Sequence, residues 1–321
     1  VLYIFCDSDN GVTTPGTLYQ TTSTWPANGD RWSSIANAIA NATIQGLADD
    51  LTFLIQGTAD FSAANLAALT AALSVTIEGD ATGAVWDASK ATILGASGIG
   101  ASIATALAVP VTIKNLQCDT AVSSGTPRGI YCNGTGAVVI NSVKFKNRSS
   151  SVTGGSAIHG STAATNVTAY NCISDGSYYT GASTSGGINL QTATVGNFYN
   201  CVFRGTGTGA TNPDNCVNCA FFGFATQGGS SGNYKYCATV NGTGTNPITV
   251  SNWASVFVDY TNFDYRLLAG AALIGTGIGP ASDANVPTTD IAGNPRSGTT
   301  TDAGAAMYVA SGGITTAWLV A

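Results

Sequence analysis

The apolar residues of this chain come in short bursts rather than long stretches. Val111-Thr-Ile-Lys-Asn-Leu116, Val138-Val-Ile-Asn-Ser-Val-Lys-Phe145, Val167-Thr-Ala-Tyr-Asn-Cys-Ile173, Asn197-Phe-Tyr-Asn-Cys-Val-Phe203 and Cys216-Val-Asn-Cys-Ala-Phe-Phe222 are all β-branched or aromatic runs. Gly, Ser, Thr and Asn bound each run, which is the signature of a short strand ending in a turn. Within them Asn115, Asn141, Asn171, Asn200 and Asn218 recur at intervals of 18 to 30 residues. Such spacing marks stacked structural units instead of one globular core. No helical pattern of ten or more residues separates the units, so an alternating strand–helix sheet is excluded. Tight coils of parallel strands remain, and parallel crossovers are right-handed.

The expected fold is therefore all-β: a single-stranded right-handed parallel β-helix. Its coils are expected over 51–260 and are best defined from Val111 to Thr239. At about 4.8 Å per coil, roughly 9–11 coils make a rod of roughly 45–50 Å. Equivalent side chains then lie on top of one another. On this reading Asn171, Asn200 and Asn218 turn the chain and ladder through their amides. Cys172, Cys201 and Cys219 fill a crowded inner column as small hydrophobes.

The ends of such a stack need sealing, because an open end exposes core and unpaired strand edges. Residues 1–50 are expected to hold an opening strand and a capping helix. Trp32, Ile35, Ala38, Ile39 and Ala42 share one helical face within 30–42. A second helical insertion is expected over Ser62–Leu73, with Ser62 as N-cap and Leu66, Leu69 and Leu73 on one side.

The last part of the chain, 261–321, reads as a closing coil and tail of the same domain. Asp264-Tyr-Arg-Leu-Leu-Ala-Gly-Ala-Ala-Leu-Ile-Gly-Thr-Gly277 precedes Thr289-Asp-Ile-Ala-Gly-Asn-Pro-Arg296 and Thr301-Asp-Ala-Gly-Ala-Ala-Met-Tyr308. This series resembles the closing signature of right-handed β-helix repeat proteins. The opening Tyr3-Ile-Phe-Cys-Asp-Ser-Asp-Asn-Gly11 and the Trp32 segment are similar to that family's first strand and cap. The resemblance implies the fold over nearly the whole chain. It leaves function open, since lyases, hydrolases, adhesins and phage proteins share the fold. Arg266 and Arg296 are expected to pair with Asp264, Asp290 or Asp302 and knit the last coil, since a buried Arg needs a carboxylate partner.

Composition narrows the function. Charged residues are 9% of the 321 and the net charge is −6, against roughly 25% charged in ordinary soluble domains. With 44% hydrophobic residues, 12 Tyr and 11 Phe, the chain is not of the disordered class. Its apolar runs fall short of the roughly 20 residues that span a bilayer. No basic cluster exists, so nucleic-acid binding through phosphate neutralisation is excluded.

Candidate chemistry is sparse. Glycoside hydrolysis needs two carboxylates at a set separation. Over residues 111–240 the acids are Asp119, Asp175 and Asp214, which sit at different points of their units, and stacking is not expected to bring them together. Arg128, Arg148 and Arg204 are equally scattered. His159, the one His, lacks a nearby acid and nucleophile. Asp7-Ser-Asp9-Asn10-Gly11 departs from a calcium loop and reads as a turn. Cys216 and Cys219 lack the second close pair of a four-Cys zinc site. No catalytic residue, cofactor or metal is expected.

These features predict a non-enzymatic structural surface protein, with a bacteriophage virion component (head decoration protein, spike or fibre) as the first reading. Its partners would be other virion or surface-assembly proteins, with self-association, and host glycans as a further ligand class. Trp318, Leu319 and Val320 in the apolar C-terminal run are the expected assembly contact. The absence of a basic leader favours a virion location over an extracellular or cell-surface one. A secreted bacterial adhesin or filament subunit is the alternative, and a carbohydrate-active enzyme or tailspike depolymerase the next.

Overall fold

A computed structural model describes residues 1–310 except 14, 16–18, 61–65, 95–100, 121–127, 148–154, 162–165, 178–186, 192–193, 207–209, 225–232 and 240–243. Three parallel sheets run through it. The first has nine strands, Leu2–Asp7, Asp50–Gln56, Ser74–Glu78, Val111–Lys114, Val138–Asn141, Asn166–Tyr170, Val195–Tyr199, Asn215–Val217 and Asn233–Lys235, stacked in chain order. The second also has nine, from Thr58–Asp60 to Ile248–Thr249, and the third five, from Ala101–Ala104 to Ala210–Thr211. From Asp50 to Thr239 successive strands along the chain belong to different sheets, and strands pair in parallel with their equivalents one coil away. The chain is thus a parallel β-helix.

Each sheet sends columns of stacked side chains inward. In the first, Ile77, Ile113, Ile140, Ala169, Phe198, Cys216 and Tyr234 lie in register. In the second the column is Ile93, Cys118, Phe145, Ser174, Phe203 and Phe221. In the third it is Ile103, Ile130, Ile158, Ile188 and Ala210. Together they form one continuous core. Phe203 stacks on Phe221 at 5.3 Å and meets Phe198 edge-on at 6.2 Å.

One corner repeats with little variation. Asn115, Ser142, Asn171, Asn200, Asn218 and Tyr236 each have φ between 52° and 55°, the left-handed region. Each sits one residue after a first-sheet strand and turns the chain into the second sheet. Asn tolerates this conformation because its short amide bonds locally. Asn141, one of the recurring Asn residues, ends its strand, and Ser142 makes the turn there.

The N-terminal end is sealed as expected, with differences of detail. The helix spans Ile35–Ile44, starts at Ser34, whose hydroxyl accepts from the Asn37 amide, and buries Ile35, Ala38, Ile39 and Ala42. Trp32 precedes the helix. Its backbone bridges Cys6, and Gln20 bridges Tyr3, so the first strand's free edge is occupied. Leu2–Asp7 is itself a strand of the first sheet, so the coils begin before residue 51. The helix expected over Ser62–Leu73 is absent in its described part. Leu66–Ala68 is a single 3-10 turn, and Leu73 is 61% exposed. A helix this short does not repay its nucleation, and the next strand starts at Ser74.

The C-terminal part is not a closing coil. Phe257–Asp259 pairs antiparallel with Asp264–Leu267, and Gly277–Ile278 with Thr300–Thr301, and none of these joins the parallel sheets. After Ile248–Thr249 the chain doubles back along the outside of the coils as far as Gly83–Trp86: Tyr265 N donates to Ala84 O, Trp86 N to Phe263 O, and Gly83 N to Ile291 O. This strap builds a second core on the outer face of the second sheet, where Ile173, Val202, Ala220 and Phe222 meet Trp253, Phe257, Phe263 and Tyr265. Among the described residues no helix is long and apolar enough to cross a membrane.

The inner aromatic stack sets a clear expectation. Phe203→Ala should destabilise the fold by about 3–5 kcal/mol through cavity formation. Urea denaturation reads this as a lower midpoint at unchanged slope, and a midpoint within error of the wild type would contradict the packing described.

Candidate functional site

The sequence-predicted residues converge on the seam between corner and strap. Asn171 Nδ2 donates to Thr289 O at 2.9 Å, and Asn171 Oδ1 accepts from Arg296 Nη1 at 2.6 Å. Asn200 Nδ2 donates to the carbonyls of Asp302 and Gly304. Asn218 Nδ2 donates to Ile278 O at 2.8 Å, and its Oδ1 accepts from Ile278 N at 2.9 Å. Only Asn218 to Asn200, at 3.3 Å, follows the expected amide ladder. The corner amides chiefly hold the strap. Gly277 lies so close that a Cβ there would stand 2.7 Å from Asn218 Oδ1.

Arg296 is buried and has no direct carboxylate partner, contrary to expectation. Its guanidinium donates to Asn171 Oδ1 and to the carbonyls of Thr289, Gly304 and Ala305. Burial lowers its pKa to about 10 against the opposing pull of Asp290 and Asp302. Those two carboxylates serve the strap's backbone instead. Asp290 accepts from the amides of Ala292, Asn294 and Met307, and Asp302 from those of Gly275 and Tyr308. Arg266 does pair with Asp264, but on the exposed surface, where it knits no coil.

Four acids and bases of the coils, contrary to expectation, share one column, while Asp214 and Arg128 lie elsewhere. Leu94, Asp119, Lys146, Asp175, Arg204 and Phe222 form one outward column of the second sheet. From Asp119 to Arg204 the charges alternate in sign. From Asp119 onward each member lies four residues after a left-handed corner, and this constant offset was the signal in the sequence. The strap closes over the column. Asp175 accepts from Arg204 at 3.0 Å and from the Tyr265 hydroxyl at 2.7 Å. Arg204 also donates to Tyr260 O, and Lys146 stands 4.2 Å over the Trp86 ring. Burial and the Asp175 charge push the Tyr265 hydroxyl well above its usual range. Burial opposes the Arg204 charge, but Asp175 outweighs it and holds that pKa up. Lys144, wholly buried, donates to Val85 O at 2.7 Å, and burial lowers its pKa to about 8.

The other candidates are also used structurally. Asp7 is buried. Burial pushes its pKa up, but Arg31 at 2.8 Å and the amides of Asp9 and Asn10 outweigh this and hold it below the usual range. Asp214 accepts from Gly196 N on the first sheet, away from Asp119 and Asp175. All eight cysteines are free and buried. Cys172, Cys201, Cys219 and Cys237 each follow a left-handed corner, and each thiol donates to the carbonyl two residues before it. Among the described residues no three His, Cys, Asp or Glu side chains gather as a metal site. Arg148 and Trp318, Leu319 and Val320 lie outside the described residues.

An open groove runs between the Thr82–Ala88 turn and the strap, lined in part by Trp86, Asp87, Arg266, Leu268, Asp290 and Tyr308. Its charges are already engaged: Asp87 accepts from Ser89, Arg266 donates to Asp264, and Asp290 accepts from backbone amides. Two carboxylates, Asp87 and Asp290, thus line the groove, and each accepts hydrogen bonds from the protein itself.

Comparison with models of known protein families, with curated proteins and with solved structures finds no match to this chain.

Two expectations follow from the buried groups. Asp175→Asn should cost about 3–5 kcal/mol, because Arg204 is left uncompensated under the strap. The double change Asp175→Leu with Arg204→Met should recover most of that loss. Equal losses in the single and double variants on urea denaturation would show that the pair is not coupled. The second concerns alkaline pH. Burial pushes the Cys6 and Cys118 thiols up, and that of Cys132 up to about 12. Thiols of the unfolded chain ionise near about 8.5. A raised folded pKa contributes stability that is present below the unfolded value and lost as pH rises through the folded one. Stability under reducing conditions should therefore fall above about pH 8.5, by up to about 1.4 kcal/mol per pH unit for each such thiol. Lys144 and Cys201, with lowered pKa values, work in the opposite direction, while the raised thiols of Cys172, Cys216 and Cys219 add to the effect. Denaturation midpoints at about pH 7.5 and about pH 9.5 test the sign.

Proposed function

We propose that this protein is a non-enzymatic structural scaffold on the surface of a bacteriophage particle, as a decoration protein, spike or fibre component. One observation carries the reading: the strap takes up the charged outer column of the second sheet and the corner beside it. The carboxylates that a β-helix enzyme would present to a substrate are bonded here to Arg204, Tyr265 and backbone amides. A face sealed in this way adds stiffness and resistance to unfolding, the properties asked of a spacer or a presenting surface. The low charge and the abundance of small neutral polar residues suit a surface packed beside copies of itself. The similarity of the strap sequence to the closing segment of right-handed β-helix repeat proteins adds support, since that fold recurs in phage structural proteins.

Mass spectrometry of purified phage particles tests the assignment directly: the chain should appear at a fixed stoichiometry to the major capsid protein. Its absence from particles overturns the virion reading and leaves the secreted adhesin. Incubation with a panel of host polysaccharides should release no shorter products, and any depolymerisation would return the enzyme reading.

A further inference from the structure

The groove between the Thr82–Ala88 turn and the strap encloses about 980 Å3. That is the upper end of the roughly 300–1,000 Å3 of pockets that take a ligand, room for a few large side chains but not for a folded partner. Its walls are mostly apolar, with Trp86, Val258, Leu268, Met307 and Val309 among them. Val258 is 43% exposed and Val309 55%, two of the large hydrophobic side chains that the fold leaves in water. The charged groups of the groove are already bonded: Asp87 to Ser89, Arg266 to Asp264, and Asp290 to the amides of Ala292, Asn294 and Met307. A charged occupant has to compete with these bonds. An uncharged apolar one covers Val258 and Val309 and leaves the bonds intact.

The path of the chain points to such an occupant. Ala310, the last described residue, belongs to the groove's wall. The chain continues as Ser311-Gly-Gly-Ile-Thr-Thr-Ala-Trp-Leu-Val-Ala321, without a charged residue and with Ile314, Trp318, Leu319 and Val320. We propose that residues 314–320 fold back into this groove on the same molecule, with Trp318 as the main apolar contact. Gly312 and Gly313 separate the wall from the apolar run, and glycine takes up the positive φ values that a sharp reversal requires. A run tethered so closely meets its own groove at an effective concentration of about millimolar. This favours it over the same run of a second copy at lower protein concentration. The run is then spent on its own subunit instead of serving as the assembly contact. The inference concerns one subunit and holds in whichever assembly the protein works.

Trp318 reports on its own surroundings. Subtracting the fluorescence of Trp318→Phe from that of the full chain leaves the Trp318 spectrum. Its maximum should lie at shorter wavelength than that of N-acetyltryptophanamide in water. It should stay there on dilution from about 100 μM to about 1 μM, both well below the effective concentration. Val258→Lys places a charge in the groove and should move the Trp318 maximum to that of the free indole, measured as the same difference in the variant background. Ile44→Lys, on the exposed side of the capping helix, should leave it unmoved. Should Val258→Lys fail to fold, Val309→Lys makes the same test elsewhere in the groove. A Trp318 spectrum like that of free indole overturns the proposal. So does a shifted spectrum that the groove variant leaves unchanged, since the run then docks elsewhere. A shift lost on dilution gives the groove to a second copy and overturns the intramolecular assignment.

Discussion

The left-handed corner between the first and second sheets is the constraint on which the rest of the structure depends. A single residue with φ near 55° must turn the chain from the first sheet into the second in the same way in coil after coil. Once it does, the following residue points into the core, the one four positions on points outward, and every coil stays in register with its neighbours. Leu116, Val143, Cys172, Cys201, Cys219 and Cys237 occupy the first of these positions and are all wholly buried. The charged column occupies the second. One backbone conformation thus fixes an inner hydrophobic stack and an outer row of alternating charge, because in stacked strands whatever is repeated along the chain is superposed in space.

The same corner gives the strap its foothold. A side chain that must be a short amide for conformational reasons also presents a donor and an acceptor to the outside. The strap meets Asn171, Asn200 and Asn218 with its own backbone carbonyls and amides. This satisfies polar groups of an irregular segment that would otherwise be buried unpaired, which is the main cost of laying a loop against a protein surface. On one side of the corner the strap then buries aromatic residues against the second sheet, with Phe222 stacked on Trp253 at 4.5 Å. On the other, Val286 packs with Tyr199 and Val217 of the first sheet. Charges that would be weak on an exposed sheet become a covered network, worth more for fixing one arrangement of strap on coil than for raw stability.

This economy bears on function. Several of the coils' acids and bases are paired within the fold, and the strap covers much of the outer column.

The sequence by itself determined the coil architecture, the capping helix and most of the corners. These depend on contacts one coil apart and on backbone preferences that single residues express. Asn, Cys and the β-branched runs could therefore be read in place. Corners made by Ser142 and Tyr236 were not legible, because the conformation there is imposed by the coils above and below rather than favoured by the residue. Only the tertiary structure decided the path of the strap, the partners of Arg296, and the meeting of Asp175 with Tyr265, 90 positions apart. Loops of unequal length separate the coils, so position in the chain does not give position along the rod. A segment that docks laterally on many coils leaves no periodic trace, because its contacts are each made once.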